Sequence, residues 1–377
     1  MRVAVVAECF TPSVNGVTNS VTRLLEHARS RGHEAIVMAP GPGPERHNTT
    51  PVVRVRSVGL TAYPDLRVGL PIGRLTEELR RFQPDVVYAA APVVLGAAGL
   101  LAAKRLGIPR VAVFQTDLAG FARRYHLRVL DSSIWAWLRH VHAQANLTLA
   151  PSTAAAWMLR SHGISSVALW PRGVDLERFH PHHASRELHS QLAPNGETIV
   201  GFVGRLAREK QIERLRHVAK RRDVKVVVVG DGPYRNHLER LMPKATFLGV
   251  RSGAELGALH ATFDIFVHPG IDETFCQAVQ ESLASGCSVV APAQGGPLDL
   301  VRHRDNGLLW TPGVPATLDA AVDELVASPM ERMRLGRTAR QSVEGRSWEA
   351  VMDELFERHL PGVAPTVTRR RRLRRAA

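Results

Sequence analysis

A chain of 377 residues, 45% hydrophobic and 22% charged, is too long for one comfortable core and too apolar for global disorder. Two domains of roughly 100–200 residues each are expected. Three cysteines, Cys9, Cys276 and Cys287, none at C-x-x-C spacing, exclude a disulfide framework and a structural zinc site and fit a reducing compartment. The net charge is +14, with six of those charges in Arg369–Arg372, Arg374 and Arg375. Such an excess points to a polyanionic partner: anionic lipid, nucleic acid or a phosphorylated substrate.

In chain order, MRVAVVAECF is apolar only as far as Glu8. It is too short for a signal peptide and reads as a first strand, Val3–Ala7. Helix Val17–Arg29, strands Ala35–Ala39 and Val52–Val55, helix Leu75–Arg81, strand Val86–Ala89, helix Val93–Leu106 and strand Arg110–Gln115 follow. Then come helix Ser133–Ala145, strand Leu147–Leu149, helix Thr153–Ser161 and strand Val167–Leu169. The uncharged run Val86–Ala103 reaches the ~18-residue length of a membrane span. Its Ala and Gly content and Pro92 favour a buried strand followed by a small-residue helix.

The segment from Pro171 to about Gly196 is polar, His-rich and weakly periodic, and marks a boundary. A second series follows: strand Thr198–Val203, helix Ile212–Lys220, strand Lys225–Val229, helix Arg235–Met242, strand Ala245–Leu248 and helix Ala254–Ala261. It continues with strand Asp264–His268, helix Gln277–Ser285, strands Ser288–Ala291 and Gly307–Leu309, helices Thr317–Ala327 and Glu331–Val343, and a last helix near Trp348–His359. Continuous apolar strands separated by helices predict parallel sheets covered on both faces. The expected architecture is α/β: two doubly wound Rossmann-like domains, 1–170 and 171–345, facing a central cleft. A C-terminal helix within 346–377 returns toward the first domain, followed by the basic tail.

Several segments at strand ends suit phosphate chemistry. Gly16, in Ser13-Val14-Asn15-Gly16-Val17, opens a helix and lets an anion approach the backbone closely; the pair Asn15-Gly16 also suits a simple turn. Gly204-Arg205-Leu206-Ala207-Arg208-Glu209-Lys210 puts a guanidinium and an ammonium on a short connection, which suits a diphosphate or a solvated charged loop. In Glu273-Thr274-Phe275-Cys276-Gln277-Ala278-Val279-Gln280-Glu281, Glu273 lies just before a helix and Glu281 two turns inside it. The Phe275, Cys276 and Gln277 amides at the helix start suit phosphate, and Glu281 suits a ribose diol.

Gly204-Arg205-Leu206, Glu209-Lys210, Gly230-Asp231-Gly232-Pro233, the E-x7-E pair Glu273/Glu281 and Gly295-Gly296, in that order, resemble the nucleotide-sugar half of the family-4 retaining glycosyltransferases of the GT-B fold. Pro12, Asn15-Gly16-Val17, Phe114-Gln115-Thr116-Asp117 and Ala150-Pro151-Ser152 resemble its other half. The resemblance covers roughly residues 1–360 and is closest to actinobacterial GDP-mannose-dependent α-mannosyltransferases that build glycolipids. It implies that Arg205 and Lys210 hold the donor diphosphate and that Glu281 binds the ribose. Glu273, with the Phe275 and Cys276 amides, would hold the sugar and its phosphate, and Gly16 would meet the diphosphate from the other domain. Catalytic roles would fall to Arg205, Lys210, Glu273 and Asp117, and the acceptor side to Asn15, Gln115 and Asp117. Where many relatives carry His, this chain has Gln115, which is no acid or base but can bond a sugar hydroxyl.

These residues suit stabilisation of a leaving diphosphate, with no covalent nucleophile. No D-x-D motif occurs, and no cofactor or metal is expected. A UDP- or ADP-sugar donor, or a nucleotide-sugar epimerase or hydrolase on the same architecture, stays open. Nucleic acid is not expected as a partner, because no recognition motif accompanies the charge. The stretch Phe121–Ala143 is aromatic and basic, and Ile134, Trp137, Leu138, Val141 and Ala145 form a helical stripe. It reads either as a core helix with a solvated face or, with the Arg-rich tail, as a surface for anionic lipid. The second reading, together with a lipid-linked acceptor, predicts a cytoplasmic protein held peripherally at the inner face of a membrane.

Overall fold

The computed structural model describes residues 1–13, 15–60, 63–70, 73–116, 120 and 131–363. The chain forms two compact units. One runs from the N-terminus to Pro171 and takes back the chain from Glu349; the other is Arg172–Trp348.

The first unit carries strands β1 (Arg2–Ala7), β2 (Glu34–Pro40), β3 (Arg46–His47), β4 (Thr50–Val55), β5 (Ser57–Leu60), β6 (Tyr63–Gly69), β7 (Val86–Ala90), β8 (Arg110–Val113), β9 (Leu147–Ala150) and β10 (Val167–Leu169). Eight of them form one sheet in the order β10-β9-β8-β7-β1-β2-β4-β3. It is parallel except where β3 meets β4. The interior strands β1 and β7 are buried along almost their whole length, as strands covered on both faces must be. The antiparallel hairpin β5–β6 is not anticipated by sequence: Gly59, Pro64 and Asp65 depress the strand signal there.

Helices α1 (Gly16–Ser30), α2 (Arg74–Phe82), α3 (Leu95–Arg105), α4 (Asp131–His142) and α5 (Thr153–Ser161) accompany this sheet. The uncharged stretch 86–103 divides into β7 and α3. Among the described residues no helix is long and apolar enough to cross a membrane. Helix α4 corrects the apolar stripe. Trp135, not Trp137, is buried with Leu138 and Val141, stacked on the His162 ring at 3.6 Å. Trp137 stays 43% exposed, its indole N–H donating to the Val93 carbonyl.

The second unit carries β11 (Thr198–Val203), β12 (Val224–Val229), β13 (Thr246–Gly249), β14 (Ile265–Val267), β15 (Ser288–Pro292) and β16 (Leu308–Trp310). Its helices are α6 (Arg186–Leu192), α7 (Arg235–Leu241), α8 (Gly253–Thr262), α9 (Gln277–Ala284), α10 (Ala316–Ala327) and α11 (Pro329–Val343). All six strands are parallel, in the order β13-β12-β11-β14-β15-β16. The order reverses between β11 and β14, so the loops leaving these two strands lie side by side.

Two expectations change here. The stretch 171–196 is not a loose boundary: it contains α6, and Phe179, Leu192 and Ala193 enter the core. The helix expected over 212–220 is a pair of 3-10 turns, Ile212–Arg216 and Val218–Lys220. Ile212, Leu215 and Val218 recur at a spacing of three, which suits three residues per turn better than 3.6.

At the C-terminus, α12 (Trp348–Glu354), a π-turn (Leu355–His359) and α13 (Leu360–Val363) follow. They are tied to the first unit by specific contacts. The Trp170 indole donates to the Val351 carbonyl at 3.0 Å, Arg31 meets Asp353 at 2.8 Å, and Phe356 packs on the His27 and His33 rings.

Candidate functional site

In the second unit the loop after β11 is held by its backbone. Gly204 N–H donates to Val229, Leu206 N–H to Asp231, and Leu206 and Ala207 are fully buried. Gly230, at φ +128°, faces the Gly204 carbonyl so closely that a Cβ would collide with it. The Gly230-Asp231-Gly232 motif is therefore the seat on which the Arg205 loop rests. Arg205 itself is exposed. Lys210 closes a short 3-10 turn, Arg208–Lys210.

The loop after β14 meets it. Lys210 Nζ lies 2.5 Å from Glu273 Oε1, and His268 Nε2 lies 3.2 Å from the same oxygen. Only 14% of the Glu273 side chain is exposed and 25% of Lys210. Burial opposes ionisation of Glu273, but the Lys210 ammonium and His268 outweigh it and hold the carboxyl well below its usual range. Burial likewise opposes the Lys210 charge, and Glu273 overcomes it and raises the ammonium pKa. His268 is fixed from behind, its carbonyl accepting from the Trp310 indole at 3.2 Å.

Gly296 anchors the middle of this loop. Its N–H donates to the Glu273 carbonyl at 2.9 Å, and a Cβ there would strike the Phe275 backbone. Cys276 then turns the chain into α9 at φ +82°, unusual for a residue with a side chain, and no side chain caps the helix. The helix thus starts at Gln277. Phe275 and Cys276 belong to the loop, and Glu281 stands one turn inside the helix, not two.

The Glu281 side chain, 16% exposed, lies beside the segment Arg172–Arg178. Gln277 and Gln280 tie α9 to that segment through the Gly173 and Arg172 carbonyls. Burial pushes Glu281 up to about 7, against the pull of the Gln277 amide and of Arg178 and Arg172, and Asp175 adds to the push. His260 Nε2 lies 3.9 Å from Glu281 Oε2.

His268, Glu273 and Cys276 offer ligand atoms within 4.8 Å of one another, a spacing that could hold a metal ion. The chemistry there fits a cation poorly. Lys210 already occupies the Glu273 carboxylate, and burial pushes the Cys276 thiol well above its ordinary range, against the thiolate a metal needs.

The first unit places three candidates. Asn15 is the N-cap of α1, its Oδ1 accepting from Val17 N at 3.0 Å and Thr18 N at 2.9 Å. Gly16 is the first helical residue. Gln115 is buried and donates to Ser20 on α1 at 3.2 Å. Asp117 lies outside the described residues, as do 121–130 and the Arg-rich tail. Sequence reading brought Lys210, Glu273 and Glu281 forward but missed His260 and His268. For His268 a signal existed, its place directly after β14; for His260, inside a helix, none did.

Comparison with known proteins matches these elements. The model of Glycosyltransferase Family 4 matches residues 14–178, and that of Glycosyl transferases group 1 matches residues 185–342. The GDP-mannose-dependent alpha-mannosyltransferase of Mycolicibacterium smegmatis is 49% identical over 94% of this chain and 96% of its own. The protein of the same name from Corynebacterium glutamicum is 43% identical over 97% of this chain and 90% of its own. Among solved structures, Anabaena HepE in complex with UDP superposes with a TM-score of 0.77 at 20% identity, over 95% of this chain and 99% of that one. Sucrose-phosphate synthase from Thermosynechococcus elongatus gives 0.76 at 19% identity, over the whole of both chains. The structural likenesses establish the fold, the sequence relatives the kinship: this chain belongs to the glycosyltransferase family of these relatives, on the two-domain GT-B fold.

Proposed function

We propose that the protein is a retaining GDP-mannose-dependent α-mannosyltransferase that acts on a lipid-linked acceptor. The observation that supports the donor site is the meeting of Lys210 and Glu273 at the strand ends where the sheet order reverses. The donor base and sugar rest on relatives 43–49% identical that are named for GDP-mannose.

In this reading Arg205 and Lys210 meet the diphosphate as the glycosidic bond breaks and negative charge grows on the leaving group. Glu281 takes the ribose diol, Glu273 the sugar, and the Phe275 and Cys276 amides its phosphate. Gly16 serves the diphosphate from the first unit. The departing phosphate oxygen takes the acceptor proton, so that no metal and no covalent nucleophile is used. Asn15, Gln115 and Asp117 serve the acceptor. The exposed Trp137 and Arg139 on α4, the flanking basic stretch and the Arg-rich tail hold the protein peripherally at the cytoplasmic face of a membrane.

Purified protein offered GDP-mannose, UDP-glucose, UDP-N-acetylglucosamine and ADP-glucose, each with membrane lipid extract, tests the reading. Mannose transfer from GDP-mannose into the lipid fraction is expected. Transfer from another donor alone would move the protein to the UDP- or ADP-sugar enzymes. Donor turnover that ignores acceptor would make it a hydrolase or epimerase.

A further inference from the structure

His260 sits on α8 with 0% exposure, behind the helix that carries Glu281. Phe179, Phe263 and Phe266 surround its ring, with centroids 5.3, 6.1 and 5.6 Å away. That apolar cage keeps the imidazole neutral, and burial drives its pKa down to about 3. A neutral imidazole carries one proton, and the neighbouring hydroxyl decides which nitrogen holds it. Ser282 Oγ has a single proton and donates it to the Ala278 carbonyl at 2.8 Å. Toward His260 Nδ1, 2.9 Å away, it can only accept. The proton is therefore on Nδ1, and Nε2 presents a lone pair.

That lone pair has no protein partner and looks toward Glu281 Oε2 at 3.9 Å. Two acceptors facing each other inside a protein repel, unless one of them carries a proton. The other groups around Glu281 include Gln277 on its own helix, Cys276 just before that helix, and Arg172, Asp175 and Arg178 on the segment before α6. The guanidiniums favour the carboxylate; burial, Asp175 and the imidazole lone pair favour the acid.

We propose that His260 is a positioning residue for Glu281: its Nε2 lone pair, 3.9 Å from Glu281 Oε2, favours the neutral carboxyl in the empty site, and a bound vicinal diol ionises that carboxyl. The Glu281 O–H bond breaks, its proton passes to solvent, and the two carboxylate oxygens accept the two diol hydroxyls. His260 stays neutral throughout. This deepens the donor-site reading and rests on it. The site would thereby be tuned to recognise a ribose by forming two hydrogen bonds to the ionised carboxyl, with proton release as its signature.

The test is GDP binding to the full-length protein by calorimetry, from mildly acid to mildly alkaline pH, in two buffers of different ionisation enthalpy. Infrared difference spectra are recorded on GDP addition. Below the midpoint, binding should release close to one proton, and a protonated-carboxyl band should vanish; Glu281→Gln should lack both effects. His260→Leu removes the acceptor, and Ser282→Ala frees the imidazole proton to move to Nε2. Each should lower the pH midpoint of GDP affinity by about half a unit or more, because each removes the lone pair that faces the carboxyl. If His260→Leu fails to fold, Ser282→Ala carries the comparison. An unchanged midpoint in the folded variants overturns the role of His260. Wild-type binding without proton release overturns it too, while the donor site stands if Glu281→Gln still weakens GDP. GDP that does not bind the wild type overturns the donor reading and this inference with it.

Discussion

Glu281 and Glu273 are largely, not fully, buried carboxylates eight residues apart, and their surroundings drive them in opposite directions. Glu273 has an ammonium at 2.5 Å and stays ionised; Glu281 lacks so close a cation, and burial lifts it to about 7. Two roles follow from one residue type, as environment and not identity sets the charge. If the complex requires Glu281 ionised, its pKa falls on binding. GDP affinity should then be weak well below pH 7, rise as pH passes through about 7, and level off above. Glu281→Ala should lose roughly tenfold to a hundredfold at alkaline pH, the worth of a charged hydrogen bond, and show a flat profile. Calorimetry that finds full affinity in Glu281→Ala would remove the residue from the site. At this scale the sequence was legible where a residue type declares its chemistry, as Lys210, Glu273 and Glu281 do. It was silent on His260, because an internal histidine in a helix has no pattern that separates packing from contact with a carboxylate.

The two loops that carry Lys210 and Glu273 are set by the elements they connect. The reversal of strand order between β11 and β14 puts their C-terminal ends next to each other, and Lys210 reaches Glu273 from one loop to the other. The alternation of strands and helices made that placement legible. The helix start at Gln277 was legible too; its approach was not, because Cys276 takes a left-handed conformation that its side chain disfavours and nothing in the residue types announces it. The Lys210–Glu273 pair also raises the question of what it does for folding. Removing one partner leaves the other charge buried and uncompensated, a loss of about 3 kcal/mol, at the lower end of such cases because Lys210 keeps contact with solvent. Lys210→Met and Glu273→Gln should each lower the melting temperature, and the double variant should regain most of the loss. Turnover at saturating donor should not return in the double variant, since the charge aimed at the leaving diphosphate is still missing. Activity that recovers along with stability would reduce the pair to a structural ion pair.

Across the whole molecule, the restart of the β/α pattern after residue 196 made two units legible. The contribution of 171–196 to the second core was hidden by its polar, His-rich composition. The units carry different chemistry: the Lys210–Glu273 ion pair in the second, and in the first an exposed aromatic and basic helix face, Trp137 with Arg139. Turnover should survive EDTA if basic side chains serve in place of a metal; loss restored by magnesium or manganese would return His268, Glu273 and Cys276 to consideration as ligands.

The proposed attachment to a lipid surface rests on interfacial and electrostatic contacts; among the described residues no helix is long and apolar enough to cross a membrane. A chain with six arginines between Arg369 and Arg375 gains ~1 kcal/mol per basic residue near an anionic surface. Full-length protein should float with phosphatidylglycerol vesicles at low salt and not with neutral ones. At ~1 M salt, where the Debye length is about 3 Å, it should be released. Deleting the tail should weaken flotation and leave GDP affinity unchanged, because Arg205, Lys210 and Glu281 lie far off in the chain. Trp137→Ala in the tail-deleted chain should weaken it further if α4 shares the load. Protein that stays at the bottom of the gradient at low salt would show that the basic face is merely solvated and that a lipid acceptor reaches the enzyme by some other route.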